Sequence, residues 1–201
     1  MIVTLYCFIF TAIIFTVIGK GLLFAYYKSA IKHYTLVDTY FIGLCLSGAL
    51  LNIWSIFLPT DFISFLFLAL LTLVLIGFNR FYYFSLLKKL LLKIKAEKIL
   101  SLLLLGCLII TLLFAIVKPK LFDTYLYHIN AIQWNEYYRA VPGLANLHDR
   151  FGFNSSMFVL SAGFSYSAIY NQYIFIISSL TFLMFFVWCV KKAYQKKGVV
   201  G

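Results

Sequence analysis

The sequence predicts an all-α integral membrane protein, with about five transmembrane helices and an outer-face loop carrying one or two juxtamembrane helices. Three observations predict it. Hydrophobic residues fill 64% of the 201 positions, against about one half in soluble chains. Charged residues make up only 11%, too few to coat a water-facing surface. The apolar residues also fall into runs long enough to cross the roughly 30 Å of hydrocarbon in a bilayer.

Five runs stand out in order: 2–19, 40–58, 62–78, 99–117 and 173–190. Each holds 17 to 19 residues and contains no Asp, Glu, Lys or Arg. At 1.5 Å per residue that is about 26–28 Å of helix, enough to span with little tilt. Helices are the default because an open strand leaves its backbone groups unpaired in lipid. The first run lacks a basic leader and a small-residue cleavage site, so it reads as a span and not a signal peptide.

A sixth stretch, Ser155–Tyr170, has 16 residues, five of them serine. Counting charge decides its role. If it does not span, 13 Lys and Arg fall on one side and 4 on the other. If it does span, the split becomes 9 to 8 and orientation is lost. The positive-inside rule prefers the first arrangement. The expected topology is therefore five spans, an outside N-terminus and a cytoplasmic C-terminus. The serine-rich stretch then lies as a shallow helix at the outer interface, and the outer loop covers 118–172.

The net charge of +11 does not indicate nucleic acid, because the basic residues sit at the ends of apolar runs, where orientation requires them. Cys7, Cys45, Cys107 and Cys189 stand singly in apolar runs and read as small hydrophobes, with no paired spacing for zinc or disulfides.

Polar residues gather only in the outer loop. Thr124–Tyr138 reads as a helix, with Tyr125, Ile129 and Ile132 on one stripe and Thr124, His128, Asn135 and Arg139 on another face. Trp134, Tyr137 and Tyr138 suit the headgroup level. Val141-Pro142-Gly143 ends the helix. Asp123, a few residues past the fourth span, reads either as a general base or as the cap of this helix. His128 could assist it or hold a divalent ion, or be an ordinary hydrogen-bonding surface residue. Lys118, Lys120, Arg139 and Arg150 could engage a phosphate, or the two lysines could only mark the membrane edge. His148-Asp149 is no recognised metal spacing, so no metal site is assigned and the cofactor stays open.

The stretch FDTYLYHINAIQWNEYYRAVPGLANLHDRFGFNSSMFVLSA follows a hydrophobic span and carries Asp, then YH, then a Pro-Gly break and a short helix. It resembles the first extracytoplasmic loop of the C-type (GT-C) glycosyltransferase superfamily, and more closely a loop in related large bacterial multi-pass proteins. The resemblance implies an enzyme that passes a sugar from a polyprenyl-phosphate carrier to a cell-envelope acceptor. It implies catalytic roles for Asp123 and His128, and carrier-phosphate binding by Arg139, Arg150 and Lys120. Such enzymes have many more spans than five, so the chain is expected to be an N-terminal fragment, inactive alone. Its partners are then membrane lipid, the carrier-linked sugar and the missing C-terminal half or other membrane subunits. A different class remains open: a non-enzymatic membrane subunit, or a piece of a lipid or polysaccharide transporter. The lack of charges inside the spans argues against ion coupling.

Overall fold

Every regular element in the computed structural model is helical, and it describes residues 1–26, 34–117, 124–147, 149–152 and 155–197. Helices α1 (Ile2–Tyr26), α2 (Leu36–Phe57) and α5 (Lys98–Ile116) are each long and apolar enough to cross a membrane. Helices α3 (Phe62–Phe78) and α4 (Arg80–Ala96) pass the same test only as a pair, bent by 92° at the break between them. The described helices thus supply three candidate spans, or four with the bent pair. The protein is an α-helical membrane protein.

Polar side chains set the ends of these helices. Thr35 caps α2 in a reciprocal box: its hydroxyl accepts from the Asp38 N–H at 3.3 Å, and its own N–H donates to the Asp38 carboxylate at 2.8 Å. Asp61 caps α3, accepting from the Ile63 N–H at 2.9 Å. Two of the six acids are therefore explained by helix starts.

Helices α1 and α2 form the centre of the bundle, and two glycines bring them together. A Cβ on Gly43 would lie 1.6 Å from the Phe15 carbonyl oxygen, and one on Gly19 only 2.0 Å from that of Thr39. Only glycine allows this backbone-on-backbone crossing, the usual way helices gain packing in lipid. Around it, Phe15 meets Tyr40 edge-on at 5.6 Å and Phe164 at 5.0 Å.

Helix α1 does not stop at Gly19 as expected but continues to Tyr26. Lys20 is buried within it. Its ammonium donates to the Tyr82 hydroxyl and lies 4.6 Å over that ring, so a buried charge is satisfied by an aromatic partner on α4. Of the cysteines, Cys7 is buried as expected, whereas Cys45 is exposed.

The segment expected to face outward, the outer segment, folds onto one end of the bundle. A wide helical turn, Thr124–His128, leads into α6 (Ile129–Tyr137), followed by single turns at Leu144–Asn146 and Asp149–Gly152. Then come α7 (Ser156–Gly163), α8 (Ser167–Tyr170) and α9 (Ile177–Lys197). The Thr60 N–H donates to the Asn135 carbonyl and the Ala140 N–H to that of Ser55, each at 2.7 Å. These bonds fix α6 over the α2–α3 turn.

The serine-rich stretch is two helices, not one. It breaks at Phe164–Tyr166, where Tyr166 takes a left-handed conformation (φ 55°). The break turns Phe164 inward against Phe15 and Phe65, and Val159, Leu160 and Ala162 are buried with it. Burial of two aromatic rings outweighs the continuity of a short helix. Helix α7 is thus a packed part of the core. The last apolar helix begins at Ile177, four residues later than expected, and ahead of it the Ile174 N–H donates to the Ser165 carbonyl at 2.9 Å.

Candidate functional site

The outer segment encloses a cavity of about 240 Å³, between α6, the turn after it and α7. Trp134, Phe151 and Phe158 supply aromatic walls, and Asn135, Arg139 and Gly143 supply polar and backbone surface. Gly143 sits at φ 79°, a left-handed conformation that suits glycine, and it turns the chain back so that Phe151 faces α6. The Asn135 amide is committed within its helix, donating to the Ala131 carbonyl at 2.8 Å. Arg139 is exposed at the C-terminal end of α6, so its guanidinium is accessible to water and to an anionic ligand.

His128 lies behind this cavity. Its ring is 4.3 Å from Tyr127 and 5.4 Å from Phe158, the same phenylalanine that walls the cavity. The Arg150 guanidinium stacks 4.9 Å over the Tyr127 ring. The structure therefore brings both His128 and Arg150 against Tyr127, and Arg139 lines the same cavity as Phe158. Asp123, Lys118, Lys120 and His148 lie outside the described residues. Among the described residues, no three His, Cys, Asp or Glu side chains gather as a metal cage.

Glu136 is not among the residues that the sequence singles out for chemistry. It is in fact buried, 9% exposed, on the inner face of α6 with Ala131 and Ile132. Its Oε1 accepts from the hydroxyls of Ser165, at 3.1 Å, and Ser167. Its Oε2 is buried with no partner among the described residues. A signal was present: Tyr125, Ile129 and Ile132 step by four and three, and one more step of four lands on Glu136. An acid on an apolar stripe is the informative anomaly.

The neighbouring Tyr173 carries the imprint of this carboxylate. Burial pushes its hydroxyl above the usual tyrosine range, and the hydrogen bond to Tyr137 and the negative charge of Glu136 push it further.

With this geometry in view, comparison with known proteins gives one match. A family model described as Domain of unknown function (DUF8201) matches residues 1–199. The chain belongs to the DUF8201 family. No curated protein and no solved structure matches it. In this DUF8201 chain the match covers the bundle and the outer segment together, so the cavity and the buried carboxylate both lie inside the family's domain.

Proposed function

We propose that this chain is the membrane-anchored part of a glycosyltransferase that moves a sugar from a polyprenyl-phosphate carrier to a cell-envelope acceptor. On this reading α1, α2, α3, α5 and α9 cross a bacterial inner membrane, the outer segment faces away from the cytoplasm, and the C-terminus lies within. The observation that carries it is the aromatic cavity with Arg139 at its edge. A pyranose presents apolar C–H faces that pack on rings such as Trp134, Phe151 and Phe158. A guanidinium matches phosphate oxygens in bidentate fashion. At about 240 Å³ the cavity falls just below the common range for small-molecule sites, about 300–1,000 Å³, which suits one sugar ring and not an oligosaccharide.

In this mechanism Asp123 removes the proton of the acceptor hydroxyl, while His128 supports it from the Tyr127 side. Arg139, with Arg150 and Lys120, holds the carrier phosphate and stabilises the charge that develops on it as the sugar leaves.

The experiment uses the protein in its native membranes with a photoreactive polyprenyl-phosphate sugar. The expected result is crosslinking in the outer segment that polyprenyl phosphate competes away and that Arg139→Ala weakens at least tenfold. Asp123→Asn, which keeps capping ability, should abolish transfer while crosslinking persists. Crosslinking unaffected by competitor and by Arg139→Ala would overturn the reading.

A further inference from the structure

A second site, independent of the aromatic cavity, lies where α6 meets the break between α7 and α8. We propose that Glu136, Ser165 and Ser167 form a binding site for one small monovalent cation of the sodium class.

The first argument is the unpaired oxygen. Glu136 Oε2 is buried, accepts nothing among the described residues, and faces no Lys or Arg among them. Leaving a buried acceptor unsatisfied costs about 1–3 kcal/mol, and more for a charged group. The two serines do not relieve it, because both donate to Oε1. Their protons are thereby committed; Ser165 Oγ also accepts from the Ser167 N–H at 3.4 Å, so one of its lone pairs and those of Ser167 Oγ remain for a cation.

The second argument is the void these residues line. It measures about 10 Å³, against the roughly 10–15 Å³ needed to hold one water. It is walled by Phe62 and Phe65 on one side and by Glu136, Ser165 and Ser167 on another. The room admits a single water-sized occupant and excludes a sugar or a lipid headgroup. Ala162 and Gly163 also border it, so the negative end of the α7 dipole faces the same space.

Charge selects among occupants of this size. The donors are all oxygen, which suits a hard cation. One carboxylate neutralises one positive charge, and a divalent ion would leave a buried excess between two phenylalanines. Among the residues that line the void, Glu136 is the only acid to balance it.

A bound cation would join α6 to the α7–α8 break, and so clamp the floor of the outer segment. The test is carried out on the full chain in nanodiscs, with NaCl exchanged against choline chloride at constant ionic strength so that screening does not change. Thermal unfolding should shift upward with sodium and saturate, and ²²Na⁺ should bind at about one per chain, displaced by lithium but not by choline. Glu136→Gln should raise the half-saturating sodium concentration at least tenfold, and Ser167→Ala severalfold. Identical unfolding in sodium and choline, with no saturable ²²Na⁺ binding by the wild-type chain, would overturn the proposal in favour of a trapped water. Wild-type affinity in Glu136→Gln would place the ion elsewhere and overturn it equally. If Glu136→Gln does not fold, wild-type ²²Na⁺ binding and Ser167→Ala decide alone, and unchanged affinity in Ser167→Ala sinks the site.

Discussion

The Tyr166 hydroxyl lies 2.7 Å from the Thr11 hydroxyl, joining the outer segment to a buried position on α1 that is 155 residues away in sequence. The same tyrosine oxygen is 3.4 Å from the Cys7 carbonyl, so its proton has two acceptors within α1. Tyr166→Phe keeps the ring against Phe65 and removes only this link. It should lower stability by about 0.5–1.5 kcal/mol, because the freed Thr11 hydroxyl can turn to its own helix backbone. A double-mutant cycle with Thr11→Val should return a coupling of similar size. Additive losses would mean the two hydroxyls do not interact.

Alkaline titration should reveal a late class of tyrosines that includes Tyr166 and Tyr173. Burial raises Tyr166 and Tyr173 above the ordinary tyrosine value of about 10. Both favour the neutral phenol in the folded state, so their stabilisation is complete below about pH 10 and is lost as pH rises through the folded values. Phenolate absorbance should therefore show a late class that titrates only as the protein unfolds. Tyr173→Phe and Tyr166→Phe should each remove amplitude from the late class alone.

Glycine replacements should sort by what the new Cβ meets. Gly43→Ala pushes a methyl group into the Phe15 carbonyl oxygen, and should sharply reduce the folded yield in detergent. Gly106→Ala and Gly77→Ala meet nothing within 4 Å and sit in helices, where alanine gains about 0.5–1 kcal/mol over glycine. Equal behaviour of Gly43→Ala and Gly106→Ala in a thermal-shift assay would refute the close crossing of α1 and α2.

Orientation can be tested with single cysteines in a background lacking the four native ones. Leu147→Cys is the better outer probe, because Leu147 is 71% exposed whereas any side chain at Gly143 is strained by its positive φ. Lys89→Cys, exposed on α4, is the inner probe. A membrane-impermeant thiol reagent should label Leu147→Cys in intact cells and Lys89→Cys only after lysis. The reverse pattern would invert the topology derived from the charge split.

Helices α1, α2 and α5 were legible in the sequence because lipid imposes one demand, an uninterrupted apolar run, that needs no knowledge of partners. The helix over Thr124–Tyr138 was legible for a similar reason, in its stripe of Tyr125, Ile129 and Ile132. What escaped depends on contacts between distant residues. The break at Phe164–Tyr166 is stabilised by Phe15, Phe65 and Thr11, none of them near it in sequence. Burial of Lys20 depends on Tyr82, 62 residues on. The outer cavity needs Phe151 and Phe158 folded back onto Trp134, which periodicity along one helix cannot reveal. Of the residues singled out for chemistry, His128, Arg139 and Arg150 are gathered around Tyr127 and Phe158, and Asp123 and Lys120 lie outside the described residues.

The glycine crossing of α1 and α2 also bears on how the protein is made. Two neighbouring helices that touch backbone to backbone need no later part of the chain to complete their seam. They can leave the insertion machinery as a finished hairpin, while α3, α5 and α9 are still being synthesised. The ring of Phe15 then already stands beside Tyr40, and the surface that will receive Phe164 is in place well before Phe164 emerges. Biogenesis in this order turns the first fifty or so residues into the template onto which the outer segment folds once it emerges.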